Sequence, residues 1–446
     1  MARTVAHVTM QFVIFFAAGL IVAWPSLNYG WYTDDLHLIR TFSREELLLV
    51  WHHTWDVDSI ETVGYRPLTV LFDHARVKLF GEWMAGHRVF TIALFAAYLV
   101  LIGRGARRFG LTSAAVALAG VMMLCAKYSI YHFIWMTDGR HLLQGILFAL
   151  ALLAILRWVD TSRSTWLCVS VGWFVLCMLV REDTIAVAPV LVVLSTVHSR
   201  RARTLDAQRN QLLGYAGALG IVSAAALVAR QMLLTPATNP QWTAPKYLAA
   251  HPIQVITLAG WQPWILVPLF VAIFAMLLFA AVRWKGEAAQ TTWTWLACAG
   301  LASTSGVVES RVDLLLFPMT FYCLFAAQIL MAYASGRERF GRWGRAIAVS
   351  VAALCVIVPV RESRLAQLSM APGSAGNVET ACNIARGGEW ATVTAPQRRD
   401  DALRELDRLG LNATLCEDLL DELGEIAPGA RLPEGAFIPP RRFLSR

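Results

Sequence analysis

The chain has 446 residues, of which 57% are hydrophobic and 16% charged, and its formal net charge is +8 at pH 7. A water-soluble domain of this length needs more charged surface, so the composition excludes a soluble protein and makes the bilayer the solvent for much of the chain. The positive charge does not indicate nucleic-acid binding, because most basic residues lie in short loops between apolar segments.

Apolar stretches of membrane-spanning length recur along the chain and predict about eleven transmembrane helices. They lie near residues 8–27, 88–103, 111–126, 141–158, 165–180, 184–198, 212–234, 262–283, 291–308, 313–334 and 346–360. No small-residue cleavage site follows the first stretch, so we expect it to remain as an anchor. The fold class predicted is therefore an all-α polytopic membrane protein.

Arginine collects in alternate loops of this arrangement and so predicts its orientation. These loops hold Arg104, Arg107, Arg108, Arg157, Arg163, Arg200, Arg201, Arg203, Arg209, Arg283, Lys285, Arg337, Arg339, Arg342 and Arg345. By the positive-inside rule they face the cytoplasm, as does the N-terminus. Eleven spans then place the C-terminal tail outside.

Two domains are expected: a transmembrane domain over residues 1–360 and a small outer domain over 361–446. The tail has one strand-like stretch, EWATVTA, and two helix-like stretches, DDALRELDRLG and CEDLLDELGEI, which indicate a small α/β unit. Cys382 and Cys416 share its oxidising compartment, and whether they form a disulfide is left open.

The first outer loop, residues 28–87, carries an adjacent acidic pair, Asp34 and Asp35. Such a pair can act as a general base on an acceptor hydroxyl, or it can bind a cation or sugar hydroxyls. Alternatively, it can cap the short helix predicted for LHLIRTF. The amphipathic segments SREELLLVWHH and YRPLTVLFDHARVKLFG predict interfacial helices in the same loop, and a long loop with such helices is usually functional.

Charged residues recur at the outer ends of later spans. They are Arg140, the triplet Arg181, Glu182 and Asp183, and the pair Glu309 and Arg311. A cavity lined in this way can hold a phosphate through arginine and sugar hydroxyls through carboxylates. The alternative is ordinary snorkelling, with ion pairs finishing helix ends. Three such clusters beside an acidic pair favour a site.

Four segments, in this order, resemble the GT-C superfamily of membrane glycosyltransferases, especially its protein O-mannosyltransferase-like and transmembrane TPR-containing branches. They are the acidic pair followed by YRPLTVL, Phe80-Gly81 and His87; Trp135 to Leu143 (WMTDGRHLL); Arg181-Glu182-Asp183 with Pro189; and Glu309 to Pro318 (ESRVDLLLFP). The likeness covers roughly residues 10–335. The tail has no TPR-like repeat, the segment before Trp135 lacks the family's His-x-Glu spacing, and Asp138 looks like an insertion.

The resemblance implies inverting transfer of a sugar from a polyprenyl-phosphate donor to an acceptor outside the membrane, which for a bacterium means the periplasmic face of the inner membrane. Asp34 or Asp35 would be the general base. The donor phosphate and sugar would be bound by Arg181, Arg311, Arg140, Arg66, Glu182, Asp183 and Glu309. The acceptor, whether protein, lipid or glycan, is left open.

No cofactor is expected, because members of the protein O-mannosyltransferase branch work without metal and two carboxylates do not make a coordination sphere. Two other functions are considered. An O-antigen ligase or polymerase shares the spans and outer arginines but places its large loop late in the chain. A transporter needs ionisable groups near the middle of its spans, where this sequence has none.

Overall fold

The computed structural model describes residues 2–27, 42–52, 65–81, 83–233, 255–257, 266–304, 315–335 and 341–370, and all regular secondary structure in these ranges is helical. The α-helices are α1 (Ala2–Ala23), α2 (Arg44–Leu49), α3 (Pro67–Phe80), α4 (Met84–Arg108), α5 (Ser113–Cys125), α6 (Ser129–Ile134), α7 (Gly139–Thr161), α8 (Thr165–Val180), α9 (Ala188–Arg201), α10 (Leu205–Leu233), α11 (Leu266–Arg283), α12 (Gly286–Ala302), α13 (Leu316–Ala334) and α14 (Gly341–Met370). Three-residue 3-10 segments follow α1 (Trp24–Ser26) and precede α7 (Met136–Asp138), and a longer one precedes α9 (Glu182–Val187).

Every predicted span overlaps one of these helices, which confirms the all-α polytopic architecture. In the described ranges, 7 helical segments are long and apolar enough to cross a membrane. They are Val8–Ser26, Met84–Arg108, Gly139–Thr161, Glu182–Arg201, Leu205–Leu233, Leu316–Ala334 and Trp343–Arg361, and three shorter apolar helices are Ser113–Cys125, Thr165–Val180 and Val267–Arg283. The count of eleven spans stays a prediction.

The last helix reaches beyond the residue at which the sequence predicts the domain boundary. The last helix, α14, runs to Met370, past the predicted domain boundary at residue 360. The predicted α/β domain, with Cys382 and Cys416, otherwise lies outside the described residues.

Aromatic side chains fill the centre of the bundle. Trp295 of α12 is 1% exposed and stacks on Phe321 of α13 with ring centroids 6.2 Å apart. Across the same core, the Tyr98 hydroxyl of α4 lies 2.7 Å from Thr320 Oγ1 of α13. Close packing and interhelical hydrogen bonds of this kind hold helices together in lipid, where tails are as apolar as the side chains.

Two ion pairs and one histidine–aspartate contact join helix termini at one end of the bundle, here called the inner end. Asp160 at the end of α7 accepts from Arg108 Nη1 of α4 at 2.6 Å and lies 2.8 Å from His198 Nε2 of α9. Arg201 of α9 lies 3.2 Å from Glu287, at the start of α12. The loops at these termini belong to the arginine-rich set, so their placement on one side agrees with the predicted alternation.

At the opposite end, called the outer end, α3 packs against α8 and α4. Pro67 lies in its first turn, where the missing N–H costs nothing, and Gly81, with φ +54°, ends it. Thr69 Oγ1 donates to the Val180 carbonyl at the end of α8 at 2.8 Å. These contacts fix α3 over the outer ends of two long helices.

The two helices predicted for the first outer loop are both present, with differences. The segment SREELLLVWHH is helical only over Arg44–Leu49, where Ser43 and Glu46 form a reciprocal capping box. The polar residues Asp73 and Arg76 of α3 are buried, although an interfacial helix was predicted. The hydrophobic periodicity of a sequence predicts that a helix has one apolar and one polar face. It does not show whether the polar face contacts water or other charged side chains.

Candidate functional site

Five of the predicted site residues lie together at the outer end of the bundle. They come from the residue before α3, the first turn of α7 and the hairpin between α8 and α9, and they are Arg66, Arg140, Arg181, Glu182 and Asp183. The other predicted site residues, Asp34, Asp35, Glu309 and Arg311, lie outside the described residues. Their roles therefore stay predictions.

Two parallel hydrogen bonds join Arg66 to Glu182 in this region. Arg66 Nε donates to Glu182 Oε2 and Arg66 Nη2 donates to Glu182 Oε1, both at 3.0 Å. The two side chains are only 9% and 16% exposed. Arg230 of α10 approaches the same carboxylate, with Nη2 4.0 Å from Oε1. One carboxylate thus gathers guanidinium groups from two distant parts of the chain.

The hairpin after α8 turns sharply at Arg181. The Arg181 backbone is extended, with φ −157° and ψ 135°, and the 3-10 segment that follows leads into α9, which has Pro189 in its first turn. The Arg181 side chain donates from Nε to Asp183 Oδ1 at 3.2 Å, and its Nη1 lies 2.9 Å from His141 Nε2. Gln144 Nε2 donates to Asp183 Oδ1 at 2.8 Å. The hairpin charges are therefore held from within α7.

Arg140 lies near the N-terminus of α7 and is 1% exposed. It interacts electrostatically with two cations and two anions, namely Arg66, Arg181, Asp73 and Asp138. Its position therefore links the α3 charges to those of the hairpin.

The buried face of α3 contributes a second arginine. Arg76 Nη2 donates to Thr91 Oγ1 at 2.9 Å and to the His87 carbonyl at 3.2 Å, and Nη1 donates to the Met136 carbonyl. Asp73 Oδ1 lies 3.7 Å from Arg76 Nη1, and Asp73 is fully buried. Burial raises the pKa of Asp73 to about 7, against the lowering effect of Arg76 and Arg140. Asp73 therefore titrates near neutral pH.

Asp138, which immediately precedes α7, lies between two imidazoles. Its Oδ2 is 2.8 Å from His132 Nδ1, and its Oδ1 is 3.2 Å from His141 Nε2. All three side chains are at most 1% exposed. Burial raises the pKa of Asp138, but His141 and His132 together lower it more, so that the pKa lies below its ordinary value. Asp138 is therefore ionised.

We call the linked groups the outer cluster. Counted over the described part of the chain, it holds five guanidinium groups and four carboxylates, which are Arg66, Arg76, Arg140, Arg181 and Arg230 against Asp73, Asp138, Glu182 and Asp183. With neutral imidazoles the excess is one positive charge, and it becomes two when Asp73 is protonated. Burying uncompensated charge is costly, so the arrangement is suited to an anionic ligand.

Sequence reasoning missed several members of this cluster. It assigned no role to Asp73, Arg76 or Arg230, and it treated Asp138 as an insertion. A signal was available for Asp73 and Arg76, which are three residues apart and therefore share a helix face. No sequence signal pairs either of them with α7.

No group of three or more His, Cys, Asp or Glu side chains in the described ranges is arranged to hold a metal ion. The acidic pair Asp34 and Asp35 is outside those ranges. The prediction of a metal-independent site is therefore untested.

Neither a protein-family model nor a curated protein sequence matches this chain. Solved structures do. The archaeal oligosaccharyltransferase AglB from Archaeoglobus fulgidus, in complex with an inhibitory peptide and a dolichol-phosphate, matches with a TM-score of 0.50 at 12% identity, over 97% of this chain and 61% of that chain. The apo form of the Archaeoglobus fulgidus oligosaccharyltransferase matches with a TM-score of 0.49 at 12% identity, over the same shares of 97% and 61%.

ArnT from Cupriavidus metallidurans, bound to undecaprenyl phosphate, matches with a TM-score of 0.45 at 15% identity, over 92% of this chain and 77% of that chain. The chain thus spans about three fifths of the length of the archaeal oligosaccharyltransferases, with 61% covered. The likeness to AglB shows that the two chains share a fold. Together with the helices that are long and apolar enough to cross a membrane, it supports an integral membrane protein. This agrees with the all-α polytopic fold that the sequence predicts.

Proposed function

We propose that this protein is a GT-C-type glycosyltransferase that moves a sugar from a polyprenyl-phosphate donor to an acceptor at the outer face of the membrane. The observation that carries the proposal is the outer cluster: a buried excess of guanidinium groups at one end of a GT-C fold.

The position of the cluster also fits a lipid-linked donor. It lies at the ends of long apolar helices, where a prenyl chain can stay in the bilayer while its phosphate reaches arginine side chains. The AglB structure of this fold was solved with a dolichol-phosphate. That observation belongs to AglB, and it supports a lipid phosphate as the ligand class to test here.

In the proposed reaction the acceptor hydroxyl oxygen attacks the anomeric carbon, and the bond from that carbon to the phosphate oxygen breaks with inversion. Asp34 or Asp35 takes the hydroxyl proton. The electron pair of the broken bond leaves on the phosphate, whose developing charge Arg181, Arg140 and Arg311 stabilise. The reaction thus needs one base and one anion site.

The remaining predicted site residues have supporting roles in this scheme. Glu182 holds Arg66, and Asp183 holds Arg181, as their hydrogen bonds indicate. The remaining lone pairs of these carboxylates, together with those of Glu309, can accept hydrogen bonds from sugar hydroxyls. We further propose a bacterial inner membrane location, with the outer cluster facing the periplasm and the N-terminus in the cytoplasm.

The test is sugar transfer by the purified full-length chain from a panel of polyprenyl-phosphate sugars, with Asp34→Asn and Asp35→Asn as variants. We expect the wild type to consume at least one donor and one Asn variant to be folded but inactive. Full activity of both Asn variants would show that neither Asp34 nor Asp35 is the general base. A wild type that consumes no donor, while remaining folded, would contradict the proposed function.

A further inference from the structure

The imidazole of His141 contacts two groups with opposite hydrogen-bonding character. Its Nε2 lies 2.9 Å from Arg181 Nη1 and 3.2 Å from Asp138 Oδ1. His141 is 1% exposed, so water does not intervene freely. The two neighbours therefore compete for one ring nitrogen.

The chemistry of the two neighbours determines which of them forms a hydrogen bond with Nε2. A guanidinium has only donors, so a hydrogen bond from Arg181 requires Nε2 to accept, with the ring proton on Nδ1. Asp138 Oδ1 lies 3.2 Å from the same nitrogen without forming a hydrogen bond to it, and its other oxygen faces His132 Nδ1 at 2.8 Å. This assignment leaves His141 neutral, with its proton on Nδ1.

Two contacts, on Nε and Nη1, fix the plane of the Arg181 guanidinium. Nε donates to Asp183 Oδ1, which Gln144 also binds, and Nη1 donates to His141. An arginine side chain otherwise keeps much of its rotamer freedom, and a pre-oriented fork loses less of it when an anion binds. His141 and Gln144 are both on α7, so one rigid helix orients the group.

We propose that His141 is the positioning residue for Arg181, acting in its neutral, Nδ1-protonated form so that the Arg181 guanidinium faces the donor phosphate. This inference rests on the proposed function and deepens it, because it specifies how one helix prepares the phosphate site. His141 itself does not touch the phosphate.

Two substitutions separate positioning from simple packing. In His141→Gln the side chain amide oxygen reaches about as far as Nε2 and can accept from Arg181. In His141→Leu the volume is kept and the acceptor is lost. We expect the leucine variant to bind undecaprenyl phosphate about ten-fold more weakly, the worth of one charge-assisted hydrogen bond, and the glutamine variant to recover most of the affinity.

The decisive experiment is a double-mutant cycle on the full-length chain, with His141→Leu, Arg181→Gln and the double variant. Binding of undecaprenyl phosphate and the thermal unfolding midpoint are measured for each. If His141 acts through Arg181, His141→Leu has little further effect on binding in the Arg181→Gln background. His198→Leu, which removes the imidazole facing Asp160 at the inner end, serves as control and should keep wild-type binding.

The outcomes separate this inference from the proposed function. Additive binding effects, or a glutamine variant as weak as the leucine one, would overturn the positioning role while the lipid-phosphate ligand stands. If the wild type fails to bind undecaprenyl phosphate, the proposed function fails instead. In that case the thermal unfolding midpoints of the two single variants and the double variant decide whether His141 holds Arg181. If the two single substitutions lower the midpoint additively, the contact does not contribute.

Discussion

Arg66 and Glu182 lie 116 residues apart in sequence and form a two-bond ion pair, with both N–O distances at 3.0 Å. The pair ties the start of α3 to the hairpin between α8 and α9. Arg66 immediately precedes α3. The ion pair therefore fixes the position at which the chain enters this helix.

We expect Arg66→Gln to destabilise the fold by about 3 kcal/mol, since it removes a buried ion pair and both of its hydrogen bonds to Glu182. The measurement is unfolding of the solubilised protein by denaturant. Arg108→Gln is a matched control, because its pair with Asp160 is 29% and 37% exposed and contributes little. Equal losses in both variants would show that the Arg66 pair has no special role.

Gly139→Ala should disturb the α3–α7 contact. A Cβ at this position would lie 2.6 Å from Arg76 Nη1 and so push the guanidinium away from the Met136 carbonyl. Loss of that buried hydrogen bond predicts destabilisation by about 1–3 kcal/mol. Gly172→Ala on α8 is the control, since its Cβ would meet nothing within 4 Å, and it should be neutral or slightly stabilising. A Gly139→Ala protein as stable as the control would contradict the close approach.

Asp73 should make stability depend on pH. Its pKa is about 7 in the folded protein, well above the usual range of an aspartate, because of burial. The folded state therefore holds a proton that the unfolded state has released, and stability should fall as pH rises from about 4 to 7. We expect the unfolding midpoint to fall over that range in the wild type.

The matched variant is Asp73→Asn, which mimics the protonated side chain and should flatten the pH dependence. The measurement is the unfolding midpoint at several pH values between about 4 and 8. An unchanged slope in the variant would assign the pH dependence to another group.

Arg140 offers a test of the anion site. We expect Arg140→Gln to weaken undecaprenyl phosphate binding by about ten-fold or more, since it removes a buried cation from the cluster. The affinity of Arg140→Lys for undecaprenyl phosphate should lie between those of the wild type and Arg140→Gln, because lysine keeps the charge but lacks the planar guanidinium group. Arg157→Gln, at the other end of the same helix, should bind like wild type. If Arg140→Gln leaves the affinity unchanged and Arg157→Gln lowers it, the ligand binds at the inner end instead.

Sequence patterns predicted much of this architecture. Long apolar stretches located the helices, and the charged triplet Arg181-Glu182-Asp183 stood out because it interrupts two of them. The partners of these charges were beyond prediction, because an ion pair between Arg66 and Glu182 depends on how α3 folds back. Helical periodicity also could not show that Asp73 faces other charges, since a buried polar face and a wet one have the same pattern.

The separation of Arg66 from Glu182 also bears on how the protein is made. Spans enter the membrane in chain order during synthesis, and Arg66 emerges before α4 to α8 have been inserted. Its partner is the first residue after the turn that follows α8. The guanidinium must therefore stay hydrated at the surface while five further helices assemble, and its pair with Glu182 can form only afterwards. The outer cluster is thus completed late in assembly, because a chain truncated before Glu182 lacks the partner of Arg66.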